Sequence, residues 1–474
     1  MSCRSLMAEK ARQETARYEE DNVLEEEKNC KLTYFFRDIL KKRIDFQISS
    51  DEVTDIIFAV EYLVGIIVAA VSSNVIWLPF SRLVKVGSMA EGTKVGSPDE
   101  FDYLVVLDQK GVEVNRSCEQ NRGYAHIKVT DPQLQRIWKK WLYGDYLQGA
   151  FTHGFSGIFP GYFDTLGNAF MYEVGEIIKY LKDDLFCSRQ TGRMLVNKNI
   201  QKHGPAFTPQ FLWEPHSRRG KKITINVDIT PAFEVDLSED IIKKDDTFHA
   251  DFWKKIEAHG KFMLIPCHEP VSCTSCVLCF RLTFTETEVE LVRGLSKHHR
   301  ECYKLLKYIF SSGGGYSFMS SYAWKTLVLK HACYCKETAN LAMCFKKLVA
   351  TCLHYLFTRK TEEKIEFSRL VRFLMRGDKF ELHIPSIFIK DHNIMDSKDF
   401  KFPCEHFLIE IEAMLQSVED ISCTENPNTA DIKIVNGYMT GFASYIKSSP
   451  LVNKHLELEN CVKCFERYFQ KKIL

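Results

Sequence analysis

The chain has 474 residues, 45% of them hydrophobic and 26% charged, with a formal net charge of +1. That length supports one large two-lobed domain or two to three smaller ones, and the near-neutral charge excludes a globally basic nucleic-acid binder. The 17 cysteines are an odd number, and the first 31 residues are rich in Glu and Asp with no apolar signal-peptide core. Together these features favour free thiols in a reducing, cytoplasmic setting over a disulfide scaffold.

Residues 1–30 read as a charged flexible arm. Leu32 to Ile44 places Leu32, Phe35, Phe36, Ile39 and Leu40 at helical spacing. Ser50 and Asp51 are positioned to cap a long helix that runs to about Ser72. Its stretch from Ile56 to Val71 is apolar nearly all round, carries Glu61, and is shorter than the roughly 20 residues a membrane span needs. A buried spine helix packed on both sides is the expectation. Strands are predicted at Glu100–Leu107, Tyr124–Val129, Lys222–Ile229, Phe262–Pro266 and Val277–Phe284. Helices are predicted at Pro132–Leu147 and Glu173–Phe186. From Lys297 onward the periodicity is helical. The expected division is the arm, a spine helix plus mixed core over 31–295, and a helical lobe over 296–474.

The chemistry gathers in Val86–Leu107, VGSMAEGTKVGSPDEFDYLVVL. Glu100 and Asp102 stand two apart on a strand and so share a face, where hard oxygen ligands suit a divalent metal. Gly87 permits close backbone approach to a phosphate, and Ser88 adds a hydroxyl and an amide donor. Gly87 to Gly92 with Thr93-Lys94 has the residue types of a P-loop in the wrong order, and a strand rather than a helix follows, which excludes that motif. Asp228 is the candidate third carboxylate, on a strand whose Ile223, Ile225, Val227 and Ile229 form the buried face. Pro231 is expected to end this strand. A single Asp on a strand is ordinarily a solvated residue. Three converging carboxylates would raise one another's pKa, a penalty that bound metal removes.

These motifs carry a resemblance. Gly87-Ser88, Glu100-Phe101-Asp102 and Val227-Asp228-Ile229-Thr230 look like the active-site signature of cyclic GMP-AMP synthase and its animal relatives, the cyclic GMP-AMP synthase-like receptors of the Mab family. Phe280–Leu291 resembles that family's acceptor-side strand, Cys302–Ile309 its helix with a phosphate-binding lysine, and Ser320–Thr326 its base-stacking turn. The resemblance implies an α+β, bilobal nucleotidyltransferase fold with a polymerase-β-like mixed sheet, a long N-terminal spine helix and a helical C-terminal lobe. It implies that Glu100, Asp102 and Asp228 bind two Mg²⁺ or Mn²⁺ ions. Gly87, Ser88, Lys307, Ser321 and Lys325 would hold phosphates, Tyr322 would stack on a base, and Arg281, Thr283 and Glu288 would surround the second nucleotide.

The implied activity joins ATP and GTP into a cyclic dinucleotide, cyclic GMP-AMP foremost, as an innate immune messenger. A non-catalytic Mab-type binding protein and an oligoadenylate synthetase-like maker of linear products remain as alternatives. Arg193, Lys198, Lys202, Arg218, Arg219, Lys221 and Lys222 face the single acid Glu214 in their segment. With the resemblance, Arg218, Arg219, Lys221 and Lys222 become the expected nucleic-acid face, for double-stranded RNA in preference to DNA. A ligand-induced dimer is expected, a membrane partner is not, and the site is expected to be misformed until ligand binds.

His298, His299 and Cys302 stand where the vertebrate enzyme carries a zinc-binding insertion, but its clustered cysteines are missing. A tetrahedral site needs four ligands, so no structural zinc is expected. Cys267, His268, Cys273, Cys276 and Cys279 form a competing run, and Cys461 with Cys464 reads as core.

Overall fold

The computed structural model describes residues 33–34, 36–74, 79–108, 111–117, 123–133, 135–136, 165–182, 184–203, 206–217, 220–237, 250–266, 279–311, 320–335, 340–345 and 347–348. They fall into two compact units. Described residues from Asp45 to Leu295 form one, and those up to Ile44 and from Ser296 form the other.

The first unit is built on a long central strand, Ile223–Asp236. In chain order the unit contains helix α1 (Ser50–Asn74), strand β1 (Phe80–Val86), the helical turn α2 (Gly87–Glu91), and strands β2 (Glu100–Leu107), β3 (Val112–Ser117) and β4 (Tyr124–Val129). Helix α3 (Thr165–Tyr180) leads to β5 (Asp184–Cys187), β6 (Gly192–His203), β7 (Ala206–Pro215) and the central strand, β8. Helix α4 (Ala250–His259), β9 (Lys261–Pro266), β10 (Cys279–Thr283) and α5 (Thr285–Arg293) complete it. The strands make one sheet in the order β3-β4-β10-β9-β8-β7-β6-β5, and β2 joins it by pairing with β8 and β1. Most pairs are antiparallel, but β2 and β8 run parallel. The fold is α+β.

Both faces of β2 and β8 are buried over most of their length. Ile225, Val227 and Ile229 are fully buried, as the sequence pattern predicts. On β2, Leu104 and Val106 join Val84, Val86, Ala232, Met263 and Ile265 in one apolar cluster. Glu100 and Asp102 continue the same face of the strand toward its N-terminal end, where burial is incomplete.

Four expectations change. First, β8 does not stop at Pro231 but runs on to Asp236. Its antiparallel pairing with β7 reaches Ile229, and that with β9 starts at Phe233. Pro231 lies between them, where a missing N–H removes no bond from either antiparallel ladder. Second, the helix expected over Glu173–Phe186 ends at Tyr180, because Asp184–Cys187 gains a ladder with β6. Third, Phe280–Leu291 is not all strand. It turns helical at Thr285, with Glu286 and Glu288 in the first turn favouring the helix N-terminus.

Fourth, α1 is buried along a stripe and not all round. Ile56, Ala59, Val60, Leu63, Val64, Ile67, Val68 and Val71 are inside, whereas Phe58 and Tyr62 are 60% and 48% exposed. The cap is Ser49, whose Oγ accepts from the Glu52 N–H at 3.1 Å. Among the described residues α1 is the one helix long and apolar enough to cross a membrane. Its polar side chains tie it to the sheet: Trp213 Nε1 donates to Glu52 Oε1 at 2.9 Å, and Ser188 Oγ donates to Asp55 Oδ2 at 2.7 Å. Truncating the fully buried Leu63 to Ala would cost about 2–5 kcal/mol.

The second unit is helical where it is described. Residues 33–34 and 36–39 lead into a π-helical turn at Leu40–Ile44. Helices α6 (Lys297–Ser311) and α7 (Ser321–Tyr334) follow, and residues 341–345 and 347–348 are helical. Ser320 Oγ caps α7 by accepting from the Ala323 N–H at 3.2 Å. Phe36 packs on Phe345 with ring centroids 4.7 Å apart. Of the helix expected over Pro132–Leu147, residues 134 and 137–147 lie outside the described residues, as do residues 1–30, 277–278 and everything beyond 348.

Candidate active site

One register, the parallel pairing of β2 with β8, assembles the carboxylates. Asp102 of β2 lies directly beside Asp228 of β8, and Glu100 beside Asn226. One oxygen from each of Glu100, Asp102 and Asp228 lies within 4.8 Å of the others. β8 is an interior strand, so Asp228 is no edge residue. The three carboxylates lie together on neighbouring strands.

Their electrostatics fit a cation. Asp102 is pushed up to about 7, first by burial and then by Glu100, Asp228 and Glu91, with Lys94 acting in the opposite sense. Crowded carboxylates of this kind mark where a divalent ion would sit, and hard oxygen donors suit Mg²⁺ or Mn²⁺.

Gly87 makes the cluster sterically possible. Val86 pairs with Asp102, and the chain turns at once into α2 with Gly87 at φ +69°. A Cβ built on Gly87 would lie 1.9 Å from Asp102 Oδ2, so only glycine fits. Ser88 follows within α2, and its carbonyl accepts from the Thr93 N–H at 2.9 Å.

Three supporting residues are absent from the sequence reading. Lys94, its side chain 12% exposed, donates to Glu100 Oε2 at 2.6 Å and reaches Asp99 Oδ1 at 2.9 Å. Burial alone would lower its pKa, but Glu100 and Asp99 raise it overall. Thr208 Oγ1 donates to Asp228 Oδ1 at 2.5 Å. Glu91, 2% exposed, accepts from Thr93 Oγ1 at 3.1 Å and adds a fourth negative group. The signal for Lys94 lies in the same Gly-Thr-Lys that rules out a P-loop.

Residues 89–294 match the family model of the Mab-21 protein nucleotidyltransferase domain. This stretch of the chain is similar to a Mab-21 nucleotidyltransferase domain. The matched stretch starts one residue after Ser88, encloses Glu100, Asp102 and Asp228, and ends at the close of α5. Within this Mab-21 domain the acceptor-side residues lie on β10 and α5. Thr283 and Glu234 share the partner Met263, and Glu234 is six residues beyond Asp228 on β8. Thr283 lines a cleft of about 490 Å³ with Ser81, Arg82, Glu234, His259 and Glu286. Arg281 is exposed on β10, opposite Tyr124 and Ile265. Glu288 is 2% exposed on α5.

The remaining predicted nucleotide residues belong to the helical unit. Tyr303 links two of them: its hydroxyl donates to the Ser321 carbonyl at 3.1 Å, and Lys307 Nζ stands 5.2 Å from its ring centroid. Tyr322 is 36% exposed, with Lys325 Nζ 5.1 Å from its ring centroid and the Lys325 side chain buried. On the basic segment, Lys221 and Lys222 are exposed. Lys222 Nζ and Arg193 Nη2 both pair with Glu214, at 2.5 and 2.6 Å, so the segment's one acid neutralises two of its cations. Arg218 and Arg219 lie outside the described residues. So do Cys267, His268, Cys273, Cys276, Cys461 and Cys464, and nothing is described of the Cys279 side chain.

Proposed function

We propose that the Mab-21 domain condenses two nucleoside triphosphates and closes them into a cyclic dinucleotide, with ATP and GTP as substrates and cyclic GMP-AMP as product. The observation that supports this reading is the convergence of Glu100, Asp102 and Asp228 within 4.8 Å on two strands in register.

Each of the two condensations forms one phosphodiester bond. A ribose hydroxyl oxygen bonds to the α-phosphorus of a triphosphate, the α–β anhydride breaks, and pyrophosphate leaves. Divalent metal held by the three carboxylates would supply charge neutralisation of the reacting phosphates. Lys94 orients Glu100, Thr208 orients Asp228, and Gly87 leaves room for Asp102. Ser88 and Gly87 would meet the triphosphate. Lys307, Ser321, Tyr322 and Lys325 would bind phosphate and base from the helical unit, and Arg281, Thr283 and Glu288 would serve the acceptor side.

The reading extends to activation in immune signalling by double-stranded RNA on Arg218, Arg219, Lys221 and Lys222. The test is incubation of full-length protein with labelled nucleotides, Mg²⁺ and double-stranded RNA or DNA, followed by phosphatase treatment and chromatography. A phosphatase-resistant product that depends on RNA supports the proposal. Linear, phosphatase-sensitive 2′–5′ products assign it to oligoadenylate-type chemistry, and no product with any ligand assigns it to a binding role. Arg218→Glu with Arg219→Glu should abolish stimulation without loss of folding.

A further inference from the structure

The helical unit holds a second constellation, made of soft ligands and separate from the carboxylates. His298 and His299 open α6, Cys335 ends α7, and Cys344 lies on the helical segment after it. One ligand atom from each of the four lies within 4.8 Å of the others. Cys335 Sγ and Cys344 Sγ are 3.5 Å apart. That is too far for a disulfide, whose sulfurs bond at about 2.0 Å. It is near the roughly 3.8 Å edge of a tetrahedron with Zn–S bonds of about 2.3 Å.

A second observation concerns a residue of the same cluster. His299 is 5% exposed, and its Nε2 is buried with no hydrogen-bond partner. Its Nδ1 is held by Ser296 Oγ at 2.9 Å, so the ring is oriented through one nitrogen while the other is left without a partner. A buried imidazole nitrogen with no partner is costly unless something binds it. His331, edge-on to His299 at 5.3 Å between ring centroids, has a second such nitrogen. The neighbouring thiols do not compete, since Cys302 Sγ donates to the Leu341 carbonyl and Cys333 Sγ to the Leu329 carbonyl.

We propose that His298, His299, Cys335 and Cys344 form a structural Zn²⁺ site that fastens the start of α6 to the end of α7 and the helix after it. This reverses the expectation of no zinc and does not depend on the proposed reaction. Two imidazoles and two thiolates are a closed tetrahedral set, with no position left for substrate. Binding displaces the thiol protons to solvent, and no electron is transferred. Because the ligands come from three separate helical segments, the ion would hold together elements that hydrophobic packing alone secures less firmly.

The experiment uses full-length protein. Elemental analysis should find a zinc equivalent that the Cys335→Ser, Cys344→Ser double variant lacks and Cys333→Ser keeps. Reduced, metal-stripped wild type titrated with Co²⁺ should develop the absorption of tetrahedral thiolate-bound cobalt, a readout that needs no variant to fold. Chelation should lower the Tm of wild type and leave that of the double variant unchanged. The Glu100→Gln, Asp102→Asn variant should retain the zinc, which separates this claim from the catalytic one. Full zinc content in a folded double variant, or no thiolate–cobalt absorption in wild type, would overturn the proposal.

Discussion

Gly87 and Asp102 are in contact because β1 and β2 pair at Val86 and Asp102, and the next residue must pass the carboxylate. Gly87→Ala would put a methyl group 1.9 Å from Asp102 Oδ2. Activity should fall about 100-fold or more, because misplacing a ligand by an ångström disrupts a reacting geometry. Gly92 is the control. It has a similar φ of +71° but open space around it, so Gly92→Ala pays only the left-handed strain of roughly 1–2 kcal/mol and should keep its activity. Pyrophosphate release and urea unfolding on both variants separate the two effects.

Lys94→Met removes the cation that holds Glu100 and opposes the rise in the Asp102 pKa. The acidic limb of the pH–rate profile should move to higher pH, with activity at neutral pH reduced about tenfold. A profile that keeps its midpoint while activity falls would make Lys94 a purely structural residue.

Asp102 gives the metal-free protein a defined pH dependence. Its folded pKa of about 7 lies above the unfolded value, so the native state binds the extra proton. The stability that proton confers is present at low pH and is lost as pH rises from about 4 to about 7. Asp102→Asn should flatten that slope. Mg²⁺ should restore stability at the upper end, because it binds the ionised form. Denaturation midpoints across this range, with and without Mg²⁺, check both statements.

The triad was legible because strand alternation is simple: Glu100 and Asp102 share a face by counting, and the buried Ile225, Val227 and Ile229 assign Asp228 to the other side of β8. The run of β8 past Pro231 was hidden, since it depends on where β7 and β9 hand over their ladders. The exposed Phe58 and Tyr62 were hidden too, because an all-apolar helix does not state which stripe is covered. His298, His299, Cys335 and Cys344 have no recognisable spacing, and only the packing of α6 against α7 and the segment after it collects them.

Arg82 donates to both Glu286 oxygens, at 2.8 and 2.7 Å, and to Glu234, which Lys261 also contacts. Burial raises the Glu234 pKa, but Lys261 and Arg82 bring it below the ordinary glutamate value. Its stabilising share is present above the unfolded pKa and lost as pH falls toward the folded one. The Arg82 side chain is 40% exposed, so Arg82→Met should cost only about 1–2 kcal/mol, less at high salt. Urea unfolding at low and high salt measures this.

Metal-dependent nucleotidyl transfer at Glu100, Asp102 and Asp228 is tested most directly by pyrophosphate release from ATP and GTP. Wild type and the Glu100→Gln, Asp102→Asn variant should be compared with Mg²⁺ and double-stranded RNA present. Wild type should release pyrophosphate and the folded variant should release none. Release by the variant near the wild-type rate would contradict the assignment and place the chemistry elsewhere in the chain.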